Sequence, residues 1–70
     1  MNLTEAEIKK TYIIKEILIN DDELISFLFS LGCYIGEPIT VIKQRRTSCI
    51  VAVNEARYCI DKELAQSIII

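Results

Sequence analysis

Seventy residues, 51% of them hydrophobic and with a net charge of −2, describe one small domain that must rely on a dense apolar core. The near balance of 8 basic and 10 acidic residues excludes a broad electrostatic footprint for nucleic acid or for an anionic membrane surface. Three cysteines and no histidine exclude a disulfide framework and any Cys/His metal spacing.

Cys33, Cys49 and Cys59 each follow or sit in an apolar run. Cysteine there behaves as a small hydrophobe, so core or edge packing is expected for all three. The first ten residues, MNLTEAEIKK, lack the apolar stretch of a signal peptide. No apolar run approaches the ~20 residues of a membrane span. The expectation is a reduced, cytoplasmic protein.

Thr4-Glu5-Ala6-Glu7 fits a capping box with Thr4 as N-cap, opening a single helical turn. Thr11 to Ile19 is the first expected strand. Apolar groups fall on both of its faces, which suits a strand that bends and changes partner in a small barrel. Asn20 or Asp21 then caps a helix whose first turn is acidic, as the helix dipole favours. These acids lack the further oxygen ligands of a magnesium or calcium loop.

The helix body runs from Leu24 to Leu31. At ~100° per residue, Leu24, Phe27, Leu28 and Leu31 share one arc and are expected in the core. Ile25 and Phe29 form an apolar shoulder beside that arc. Ser26 and Ser30 lie opposite. Gly32 ends the helix, because only glycine turns left-handed there without penalty. Cys33 to Gly36 is a short crossing, and Pro38 launches the next strand.

Strands are expected at Ile39 to Gln44, Cys49 to Val53 and Ala56 to Ile60. Arg45 to Ser48 and Asn54-Glu55 are the intervening turns. Asp61 caps one helical turn ending at Ala65, and Ser67 to Ile70 is a closing strand. Its isoleucines are hazardous on a free edge, so pairing with the first strand is expected. Together these elements point to a small, mainly β, closed barrel.

Catalytic patterns are absent: no histidine base, nucleophile elbow or phosphate-binding glycine loop exists. No enzyme activity, cofactor or metal is expected. Lys43, Arg45, Arg46 and Arg57 form the one basic cluster, which fits a solvated hairpin tip, since no stacking aromatics accompany it.

Leu28-x-x-Leu31-Gly32-Cys33-x-x-Gly36-x-x-Ile39-x-Val41 resembles a pattern of the ferrous iron transport protein A (FeoA) family. Tyr58 to Ala65, followed by Ile68, is similar to that family's apolar strand, short turn and closing strand. The resemblance spans residues 11–70. Ile35 stands where the family has proline, and Asp61 where a basic or polar residue is frequent.

The resemblance implies a five-stranded SH3-like barrel with one short α-helix inserted after the first strand, formed by a single domain over residues 1–70. It also implies a cytosolic, non-enzymatic accessory of ferrous iron uptake. The implied partner is the FeoB transporter, through its cytoplasmic GTP-binding region. Neither nucleic-acid binding nor membrane insertion is implied, and weak homo-oligomerisation is compatible. The same module also occurs in metal-dependent transcriptional repressors, so a detached regulatory module is the alternative. A metal carrier using the cysteines is a weaker one. The expected contact surface is Ile25, Phe29, Tyr34 and Ile35, the apolar side chains beyond what one helix face needs.

Overall fold

The first expected strand breaks in two at a single peptide, and this break sets the topology of both sheets. The computed structural model describes all residues, Met1–Ile70. After a 3₁₀ turn at Leu3–Glu5 come β1 (Thr11–Ile13), β2 (Glu16–Ile17), α1 (Asp22–Leu31), β3 (Pro38–Gln44), β4 (Ser48–Val53), β5 (Ala56–Asp61), α2 (Lys62–Gln66) and β6 (Ile68–Ile69). Ile14 N–H donates to Glu37 O at 3.0 Å, toward β3, whereas Lys15 N–H donates to Ile69 O at 2.7 Å, toward β6. The chain thus changes partner between consecutive residues, with the Ile14 side chain buried at the corner.

Two sheets result, one ordered β1-β3-β4-β5 and one of β2 and β6. All pairings are antiparallel. The C-terminal isoleucines pair with the second half of the expected first strand, Glu16↔Ile69 and Ile17↔Ile68. On the other side Ile69 bridges to Asn2, and Ile70 N–H donates to Met1 O at 2.8 Å. Both edges of this apolar run are therefore paired. The barrel is SH3-like, but its ladder does not close, because β5 has no second strand partner.

β4 alternates cleanly, with Cys49, Val51 and Val53 buried and their neighbours half-exposed. β3 does so only up to Val41. Its register then shifts, from Val41↔Val51 to Lys43↔Ile50, leaving Ile42 as an extra residue. Such a bulge re-aims the residues beyond it. Lys43 points out, and Lys9 N–H bonds Val41 O at 2.7 Å beside the bulge. Asn54 and Glu55 both have positive φ, 51° and 64°, which matches the two-residue turn to the strand twist.

The N-terminal cap lies two residues earlier than expected. Asn2, not Thr4, is the N-cap; its side chain accepts from Thr4 N–H, and Glu5 Oε1 accepts from Asn2 N–H at 2.9 Å. Both placements satisfy the same motif. Burial selects between them, because this one turns Leu3 and Ala6 into the core.

Candidate protein-interaction surface

α1 begins where expected. Asp21 caps it, accepting from Glu23 N–H at 3.0 Å and Leu24 N–H at 3.3 Å, and Asp22 and Glu23 face the positive end of the dipole. Gly32 ends it at φ 91°, with N–H bonds to Leu28 O and Phe29 O. Gly32 also meets Asn54, and a Cβ there would lie 2.9 Å from Asn54 Cβ. At its other end Leu24 shares a cleft with Asp61 and Leu64. The C-terminal end of the helix thus lies beside the start of β5, and its N-terminal end beside the end of β5.

The expected core stripe is mostly not core. Leu28 is 1% exposed and Leu31 half-buried, but Leu24 is 40% and Phe27 49% exposed. The barrel contacts α1 along a narrow line through Leu28 and Leu31. Phe27 lies about 100° round the helix from Leu28, off that line. Leu24 lies on the line but borders an open cleft. Periodicity gives the facing direction of a residue; it does not give the extent of what it faces.

The four expected contact residues are all exposed. Ile25 and Phe29 stand one turn apart on α1, and Phe29 is 62% exposed. The ring of Tyr34 stacks on Phe29 with centroids 4.7 Å apart and 27° between planes. That geometry is a favourable offset stack, yet it faces solvent. Ile35 comes next at 63% exposed, held by Gly36, whose φ of 93° turns the chain and whose N–H bonds Ile14 O at 2.8 Å. The structure brings Phe29 and Tyr34 into contact. Ile25 and Ile35 flank them in sequence without entering the stack.

Leu24 and Phe27, expected in the core, and Leu18 and Ile13, given no role by the sequence, are further exposed apolar residues. A countable hint existed: α1, DELISFLFSL, carries six apolar residues in ten, too many for a helix buried along one line. The only ion pair in the molecule is Lys10–Glu7, at 3.8 Å. Lys43, Arg45 and Arg46 are exposed and unpaired at the β3–β4 hairpin, whereas Arg57, opposite Ala52, is exposed at the other end of β4 and does not join them.

The thiols separate into two kinds. Cys33 and Cys49 are buried, and burial pushes Cys33 up to about 11. Burial also raises Cys49, against the opposing pull of Lys62. Cys59, expected to pack, instead lies on the outer face of β5 and is exposed. No three His, Cys, Asp or Glu side chains gather where they could hold a metal ion. No helix is long and apolar enough to cross a membrane.

Comparison with known proteins gives these features a context. The FeoA domain model matches residues 1–70. A crystal structure of an iron uptake regulatory protein (FeoA) is 25% identical with a TM-score of 0.85, over 97% of this chain and 91% of that one. FeoA of Stenotrophomonas maltophilia, complexed with zinc and described as a prokaryotic SH3-domain protein, is 19% identical with a TM-score of 0.82, over 99% of this chain and 87% of that one. A manganese-dependent transcriptional repressor superposes with a TM-score of 0.86 at 20% identity, over 97% of this chain but only 39% of its own length. No curated protein matches the sequence. The chain belongs to the FeoA domain family, an SH3-like family of ferrous iron transport.

Proposed function

We propose that this protein is a cytoplasmic accessory of bacterial ferrous iron uptake. It acts by contact, not catalysis, on the GTP-binding region of a FeoB-type transporter. Ile25, Phe29, Tyr34 and Ile35 form the contact surface. The stacked pair of Phe29 and Tyr34, left in solvent at the C-terminal end of α1, is the observation that carries this assignment. Stacked, pre-ordered aromatics lose little side-chain entropy on binding and are typical interface anchors. Family membership supplies the pathway, and the S. maltophilia neighbour is itself described as a candidate activating factor of ferrous iron transport.

The test is calorimetric titration of this protein into a purified cytoplasmic GTP-binding region, with GTP analogue, with GDP and without nucleotide. Saturable one-to-one binding in at least one state is expected. No heat in any state at high micromolar concentrations overturns the assignment.

A further inference from the structure

A cleft of about 280 Å³ opens at the other end of α1 from the aromatic stack, between the β2–α1 connection and α2. Leu18, Ile19, Leu24 and Leu64 form its apolar wall; Asp61 and Glu63 are its charged lining. Leu18 is 59% exposed, an unusual position for a leucine with no neighbour over it. Its backbone is fixed by an N–H bond to Ser67 O at 2.7 Å, so the side chain is presented from a tied strand end.

The electrostatics of the cleft are one-sided. No cation lines it. Neither lining carboxylate has an ion-pair partner, although Asp61 Oδ1 accepts the Leu64 N–H that it caps, at 2.7 Å. Asp21, Asp22 and Glu23 add negative charge immediately before Leu24. The nearest lysine in sequence, Lys62, donates its Nζ to Gln44 Oε1 and is thereby held away. An apolar slot with an unneutralised acidic lining matches one kind of occupant.

We propose that this cleft receives a basic peptide segment of a partner protein: one bulky aliphatic or aromatic side chain enters the slot, and flanking lysines or arginines meet Asp61 and Glu63. A second copy of this chain is a poor match. Its hairpin tip has Lys43, Arg45 and Arg46 but no bulky apolar side chain among Gln44, Thr47 and Ser48. Its Ile8-Lys9-Lys10 has the composition but is tied down. Lys9 N–H is bound to Val41 O, and Lys10 lies 3.8 Å from Glu7 and over the Tyr12 ring. The site shares no residue with the aromatic surface, so the two assignments stand or fall separately.

The probe is a capped pentapeptide of one leucine flanked on each side by two basic residues, titrated into ¹⁵N-labelled protein. Saturable amide shifts are expected at Leu18, Leu24, Glu63, Leu64 and Ser67. Replacing the peptide leucine by serine, or its basic residues by glutamate, should abolish saturation. Glu63→Lys and Leu18→Ser should each weaken binding about tenfold, while Phe29→Ser leaves it unchanged. The proposal is overturned by shifts centred on Phe29 and Tyr34, by equal binding of the serine peptide, or by no saturable shift. Matching shifts produced by raising the protein concentration alone also overturn it, since the occupant is then a second copy.

Discussion

Phe29 and Tyr34 stack across the C-terminus of α1, five residues apart in sequence and 4.7 Å apart at the ring centroids. Gly32 lies between them at φ 91°, and the reversal it makes brings the second ring back over the first. The exposed pair therefore depends on a backbone conformation that only glycine adopts freely.

Gly32→Ala should accordingly be the costlier of two glycine substitutions. Gly32 and Gly36 both have positive φ, 91° and 93°, so alanine strains either. Only at Gly32 does the new Cβ also meet another side chain, Asn54. A loss of about 2–3 kcal/mol is expected at Gly32 and about 1 kcal/mol at Gly36. Urea unfolding of the two variants checks the order; equal losses contradict the role given to Asn54.

Leu28→Ala should remove about 2–5 kcal/mol, much of the stability of so small a domain. Leu24→Ala and Phe27→Ala should each remove about 1 kcal/mol or less, because both side chains are half in solvent already. Thermal melts of the three variants distinguish a helix held on one line from a helix buried along a whole face.

Those two outcomes mark what was legible in the sequence. Caps and stops are local chemistry, so Asp21, Gly32, Asn54 and Asp61 stand where the residue types placed them. The bend inside residues 11–19 was legible as apolar groups on both faces; the residue at which it occurs was set by Glu37 and Ile69, far off in sequence. Coverage was not legible. Leu24 and Phe27 are exposed because the barrel meets α1 along one line only, and Cys59 because it falls on the outer face of β5; how much a barrel covers is a property of all its strands.

Thiol reactivity should divide one to two. Native protein at pH 8 should yield one fast equivalent to a thiol-reactive disulfide reagent, from exposed Cys59, and two more only on unfolding. Three fast equivalents contradict the burial of Cys33 and Cys49.

Alkaline pH should destabilise the fold through Cys33. Burial favours its neutral thiol, so the folded protein keeps a proton that the unfolded chain releases. The stabilisation is complete below the ordinary value of 9.0 and is lost as pH rises toward about 11. The difference between wild type and Cys33→Ala should shrink by on the order of 1 kcal/mol across that window. A difference that stays constant from pH 8 to pH 11 argues against a protonated, desolvated thiol.

The aromatic surface is tested most directly by the double variant Ile25→Ser/Phe29→Ser, titrated against the transporter's cytoplasmic GTP-binding region beside wild type. Both side chains are exposed, so circular dichroism and melting temperature should stay close to wild type. Affinity should fall at least about tenfold, with Tyr34→Ser alone giving part of that loss. A folded double variant that binds as tightly as wild type contradicts the account, and so does one that unfolds, since the two residues then belong to the core.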